Sequence, residues 1–142
     1  MVDVGHKKVT RREAVARGSV TLSAEAFDLV RRNGVKKGDV LGVAQMAGIQ
    51  AAKKTWELVP LCHPLPLDGI DVDLRLEPRS SRVVVEARAR ARAVTGVEME
   101  ALTAVAVACL TVYDMVKGVD RAACIGEIRL VSKQGGKSGF SG

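Results

Sequence analysis

Aromatic side chains make up only 3% of this sequence, although hydrophobic types reach 47%. No core can be assembled around large rings, so it must be built from Val, Leu, Ile, Ala and Met. The same scarcity argues against a surface that reads single-stranded nucleic acid, which needs aromatic faces for base stacking. Cysteine is limited to Cys62, Cys109 and Cys124. An odd number without metal-type spacing argues against a disulfide framework and fits reduced thiols in the cytosol. Histidine occurs only as His6 and His63, too few ligands for a zinc site. No run approaches the roughly eighteen apolar residues of a membrane span. Lys7, Lys8, Arg11 and Arg12 interrupt any signal-peptide pattern near the N-terminus. These absences predict a soluble, cytoplasmic protein.

A length of 142 residues predicts one domain over 1–142. The formal net charge of +6 raises the local concentration of anions such as nucleotides, polyphosphates, nucleic acid or acidic lipid, without choosing among them.

Residues 1–18 are polar and basic and read as a loosely held arm, followed by a short β-rich stretch from Ser19 to Ser23. Ala24–Arg32 is helix-like and stops at Asn33-Gly34. Asp39 is a plausible N-cap for an apolar helical stretch from Val40 to Leu58, ended by Pro60. Asp71–Leu76 and Arg82–Val94 alternate polar and apolar around a turn at Glu77–Ser81, the pattern of an antiparallel hairpin. Val97–Lys117 is the clearest helix, closed by Gly118. Ile125–Val131 is a last strand, and residues 133–142 form a Gly-rich tail. The order β-α-α-β-β-α-β predicts a ferredoxin-like α+β fold, an antiparallel sheet with helices on one face, plus one extra helix.

On the long helix, Met99, Leu102, Val105, Cys109, Val112 and Val116 form a core-facing stripe. Glu100, Thr103, Thr111, Asp114 and Lys117 fall within an arc of about 120°. Such an arc is usually a solvated face, with Asp114 and Lys117 an ordinary i,i+3 pair; the alternative is that it lines a site. Glu100 and Lys117 lie about 25 Å apart along the axis. One small substrate cannot touch both, so if both ends carry chemistry, each site combines ends from different subunits.

Pro60-Leu61-Cys62-His63-Pro64 presents Cys62 and His63 on a loop stiffened by proline. This pattern leaves His63 either structural or catalytic, and Cys62 has no second histidine to activate it. Gly135-Gly136-Lys137-Ser138-Gly139 resembles a P-loop but fails, since Val131 stands where the Walker pattern needs glycine. Lys133 and Lys137 can still fold over an anion. Arg88, Arg90 and Arg92 share one face of their strand, which is either solvated or a basic surface.

Several segments together resemble the cyclic pyranopterin monophosphate synthase family, also called molybdenum cofactor biosynthesis protein C. They are Met1-Val2-Asp3-Val4, Thr10-Arg11-Arg12-Glu13-Ala14, Lys37-Gly38-Asp39-Val40, Ala47 through Thr55, Pro60 through Leu65, Thr95-Gly96-Val97-Glu98-Met99-Glu100-Ala101-Leu102-Thr103-Ala104, Tyr113-Asp114-Met115, Lys117 and Gly135 through Gly139. The resemblance covers nearly the whole chain. It implies a ferredoxin-like fold and a hexamer, a trimer of dimers with interfacial active sites. It also implies a lyase that takes 3′,8-cyclo-7,8-dihydroguanosine triphosphate, supplied by a radical GTP cyclase, to cyclic pyranopterin monophosphate and pyrophosphate. Lys37, Asp114 and Lys117 match catalytic positions of that family. Leu61, Cys62, His63, Met99 and Glu100 match its substrate-binding segments, and Arg12, Lys133 and Lys137 match basic positions suited to the triphosphate. Glu98 or Glu100 is expected on the guanine-derived amino groups. The net change is a rearrangement plus elimination and requires no redox cofactor; Mg²⁺ on the triphosphate is an open alternative. A basic nucleic-acid-binding domain without catalysis is the rival reading.

Overall fold

The computed structural model describes residues 1–136 and 139–142. Its chain order is β1 (Thr10–Thr21), α1 (Ala24–Arg31), α2 (Val40–Ala52), α3 (Thr55–Leu58), β2 (Gly69–Glu77), β3 (Arg82–Ala93), α4 (Glu98–Val116), β4 (Cys124–Gln134) and β5 (Phe140–Ser141). The sheet order is β2-β3-β1-β4-β5, and every pairing is antiparallel. The first four strands in that order, with the helical crossovers before β2 and before β4, give the ferredoxin-like α+β arrangement.

The expected N-terminal arm is corrected by β1. Residues 10–18 are not loose, because they belong to the central strand, flanked by β3 and β4. Arg11, Arg12, Glu13 and Arg17 give this stretch its polar look, but Ala14 and Ala16 between them are fully buried. The expected Val40–Leu58 helix is broken at Lys53-Lys54 into α2 and α3. There the Thr55 hydroxyl donates to the carbonyls of Ala51 and Ala52, so a side chain takes over the role of the ladder. The Asp39 cap is present, its side chain accepting from the Gly42 N–H at 3.0 Å. Asn33 turns the chain after α1 at φ 55°, and Gly34 N–H reaches back to Leu29. Gly118 follows α4 without the left-handed conformation expected of it. The end of the helix is closed instead by the N–H groups of Val119 and Asp120 on the Val116 carbonyl.

The core lies between the sheet and α4. Ala14, Ala16 and Val20 of β1 and Val83, Val85, Ala87, Ala89 and Ala91 of β3 cluster with Ala101, Ala104, Val105, Ala108, Cys109 and Val112 of α4. Valine and alanine dominate, and no isoleucine is buried among the described residues. Small side chains let α4 sit close to β1, β3 and β4, with α2 packed against α4 and β2. At the α2–α4 contact Gly48 leaves no room for a side chain, since an added Cβ would stand 2.9 Å from the Ala104 carbonyl oxygen. By length and composition α4 is long and apolar enough to cross a membrane, contrary to the expectation that no such run exists, but 56% of that stretch is buried inside the fold, as in a core helix.

The stripe read along α4 is partly corrected as well. Val105, Cys109, Val112 and Val116 are buried, but Met99 is 39% exposed and Leu102 half-buried. Ala101, Ala104 and Ala108 take buried positions instead, and at Ala104 and Ala108 the helix α2 passes close by at Gly48.

Candidate active site

At the N-terminal end of α4 a cleft of about 680 Å³ is lined by His6, Lys7, Lys8, Thr10, Arg12, Val94, Thr95, Gly96, Glu98, Lys133, Gly135 and Gly136. Arg12 projects from β1 and is pinned by the carbonyls of Ala93 and Val94, its Nε and Nη2 donating at 3.3 Å each. Lys133 of β4 reaches across to Glu98, Nζ to Oε1 at 2.8 Å. Burial alone would raise the Glu98 carboxyl, but the Lys133 hydrogen bond and the nearby Arg12 charge hold it below its usual range. Gly135 and Gly136 have φ of 96° and 74° and lie against the Arg11 carbonyl and the Arg12 guanidinium, where a Cβ would collide. Several cationic groups thus converge on one concave surface with a single carboxylate among its lining residues. Electrostatically it is suited to a polyphosphate.

The C-terminal end of α4 holds a different cluster. Lys37, on the loop before α2, donates to Asp114 Oδ2 at 2.7 Å and to the Asp114 carbonyl at 2.9 Å. Lys117 lies 2.6 Å from Asp114 Oδ1. The two ammonium groups grip one carboxylate, each taking one oxygen. The Lys117 hydrogen bond, then that of Lys37, holds the Asp114 carboxyl down to about 2, and Asp114 in turn raises the Lys117 ammonium. Asp114 is therefore a fixed anion, and Lys117 stays protonated at neutral pH. In the folded chain the stabilisation from this ion pair is complete above the ordinary carboxylate pKa and is lost as pH falls through about 2. A carbon-13 titration of the Asp114 carboxyl is expected to show a midpoint near 2, moving up toward the ordinary carboxylate value when both lysines are replaced by alanine. An unchanged midpoint in that variant would show that the lysines do not hold it.

Periodicity places Glu100 on a polar arc, but it is only 3% exposed. Its Oε2 is buried without a hydrogen-bond partner among the described residues. Burial raises its pKa, its own helix-end N–H opposes this, and the Glu98 charge adds to the rise. Cys62 is pushed up by burial and by the Glu100 charge, which keeps it a thiol rather than a nucleophilic thiolate. His63 is half-buried beside it, while Leu61 is 71% exposed. Leu61, Cys62, His63, Met99 and Glu100 do not line the Arg12–Lys133 cleft. Lys137 lies outside the described residues. Among the described residues no three His, Cys, Asp or Glu side chains come together to hold a metal ion.

A cationic cleft at one end of α4 and a lysine–aspartate–lysine cluster at the other sit in a chain with many named relatives. The model of the MoaC family matches residues 1–136. The chain belongs to the MoaC family. It is 62% identical over 139 residues to a protein of Pelotomaculum thermopropionicum named cyclic pyranopterin monophosphate synthase, covering 98% of this chain and 82% of that one. Proteins of the same name from Cereibacter sphaeroides and Thermomicrobium roseum are each 58% identical over 139 residues, covering 98% of this chain and 87% and 84% of theirs.

Within this MoaC-family chain, sequence spacing links Asp114 to Lys117 but not to Lys37, which stands far off in the chain and meets them only through the fold. Spacing also misses His6, Lys7 and Lys8, which read as arm although they line the cleft. Their signal is present as a basic run preceding Arg12. The Lys133–Glu98 pair carries no sequence signal, because it joins β4 to the first turn of α4, 35 residues away in the chain.

Proposed function

We propose that the chain is a lyase of molybdenum cofactor biosynthesis. It converts 3′,8-cyclo-7,8-dihydroguanosine triphosphate to cyclic pyranopterin monophosphate and pyrophosphate. The observation that carries this reading is the 62% identity over 139 residues to a cyclic pyranopterin monophosphate synthase.

In this reading Arg12 and Lys133, with His6, Lys7 and Lys8, hold the triphosphate in the cationic cleft, and Lys137 is assigned to the triphosphate by family resemblance alone. Pyrophosphate departure concentrates negative charge, which these groups stabilise where water is excluded. Glu98 and the unpartnered oxygen of Glu100 face the amino groups of the guanine-derived ring, with Leu61, Cys62, His63 and Met99 completing the binding surface. Lys37 and Lys117 are the proton donors for ring opening. Asp114, gripped by both ammonium groups, orients them toward the substrate.

One chain cannot bring these groups onto one substrate, because Glu98 and Lys117 stand at opposite ends of a helix of 19 residues. We infer a homo-oligomer, a hexamer built as a trimer of dimers, in which one subunit's cleft meets the next subunit's Lys37–Asp114–Lys117 cluster. Exposed Val43 and Met46 on α2 and Leu110 on α4 support this reading, since they leave apolar helix faces in water. The reading carries a cytoplasmic location and a functional link to a radical GTP cyclase as its substrate source.

The test is to incubate the purified chain with GTP and a radical GTP cyclase, oxidise, and look for the fluorescent pterin derivative of the product. It is expected only when this chain is present. Accumulation of the cyclic dihydro-GTP intermediate beside folded protein would overturn the assignment.

A further inference from the structure

The outer face of the sheet, opposite α4, carries a row of ion pairs beside charges that have no ion-pair partner among the described residues. Arg17 pairs with Glu86 at 2.6 Å, Arg88 with Glu13 at 3.0 Å, and Arg90 with Asp71 at 2.7 Å. At the end of the row Arg11 of β1 stands directly opposite Arg92 of β3. Like charges directly opposite in an antiparallel pair destabilise it. Neither arginine has a carboxylate partner among the described residues, and both are exposed. They border a cleft of about 400 Å³, lined by Arg11, Asp68, Arg90, Ala91 and Arg92. Arg90 is fixed in that cleft from two sides. Asp71 holds its guanidinium, and Gly69 lies beneath it so closely that a Cβ there would stand 2.9 Å from Nη2.

We propose that this cleft is a second anion site, built for a phosphoryl group. The two unpaired forks of Arg11 and Arg92, presented by adjacent strands, can together engage the three terminal oxygens of one phosphoryl group, while Arg90, held by Asp71, adds positive charge at the rim opposite Asp68. The site is separate from the substrate cleft, because successive side chains of a strand leave on opposite faces: Arg12 enters the substrate cleft and Arg11 the outer one. A polymer surface is disfavoured, since Arg88 and Arg90 are already paired and the lining holds no aromatic side chain.

The phosphoryl group has two candidate sources, free phosphate and a nucleotide. The full-length protein is titrated at low ionic strength with inorganic phosphate, with GMP and with acetate, following the Arg Nε resonances. Phosphate is expected to move the Arg11, Arg90 and Arg92 signals, and acetate is not. Affinity for phosphate at this site is expected to fall about tenfold for each of Arg11→Gln and Arg92→Gln, the scale of one charge-assisted bond. Tighter binding of GMP than of phosphate through the same signals identifies a nucleotide as the source; equal binding identifies free phosphate. The double variant is expected to melt no lower than the parent, because the opposed charges are gone. Unmoved arginine signals, equal response to acetate, or a lower melting temperature of the double variant would each overturn the proposal. Binding of a single-stranded oligonucleotide through these arginines with a steep salt dependence would replace it with a nucleic-acid surface.

Discussion

Lys117→Ala and Lys37→Ala are each expected to lower kcat by about 10²–10³-fold, the scale for loss of one preorganised donor at a developing charge. Both side chains are about half exposed, at 53% and 49%, and neither belongs to the core, so folding should be unaffected. The two losses should not multiply, because both lysines act on one carboxylate and a damaged cluster has little left to lose. Asp114→Asn separates orientation from charge. It keeps acceptor capacity on one oxygen only, so it releases one lysine, and a loss smaller than that of Asp114→Ala is expected. Single-turnover formation of the pterin product, with circular dichroism on the same samples, makes the measurement. Near-normal turnover of either lysine variant would remove that residue from the catalytic assignment.

Gly48→Val should produce the largest stability change that leaves every candidate site residue intact. A Cβ at Gly48 would meet the Ala104 carbonyl oxygen at 2.9 Å, Val72 Cγ1 at 3.2 Å and the Ala108 Cβ at 3.3 Å. The first contact is backbone of α4 and cannot swing aside, so the helices must separate. Overpacking of this kind costs about 1–3 kcal/mol, partly offset by the gain of about 0.5 kcal/mol in helix propensity over glycine. A chain of this size loses roughly 2–4 °C of Tm per kcal/mol. Gly118→Ala is the control, since nothing stands within 4 Å of its added Cβ. Its melting temperature is expected to stay with the parent's. Gly48→Val should also lose turnover, because α4 carries Glu100 at one end and Asp114 at the other. If the Gly48→Val variant instead melts with the parent, the α2–α4 contact is compliant.

The ferredoxin-like order was legible because its signals are local. The Asp71–Leu76 alternation, the turn after Glu77 and the Asp39 cap each depend on neighbouring residues, and the structure has all three. The central strand was illegible for the opposite reason. Arg12, Glu13 and Arg17 are accommodated inside the sheet because Ala93, Val94, Arg88 and Glu86 are supplied as partners from distant sequence. At the site, Asp114 and Lys117 were visible at helical spacing, whereas Lys37 joins them through tertiary contact. Glu100 shows the limit of periodicity. A carboxylate is ordinarily assigned to water, and nothing in the helical pattern of α4 says that this one is buried.

The α4 helix also acts as a ruler. A helix is stiff along its axis, so a displacement at Glu100 is transmitted undiminished to Asp114, and one turn of slip would carry both by about 5.4 Å. The two half-sites of a chain therefore cannot be adjusted separately. A substitution at mid-helix, at Ala104 or Ala108, would detune both by the same amount, which leaves the bed of alanines beneath α4 as the common gauge for both.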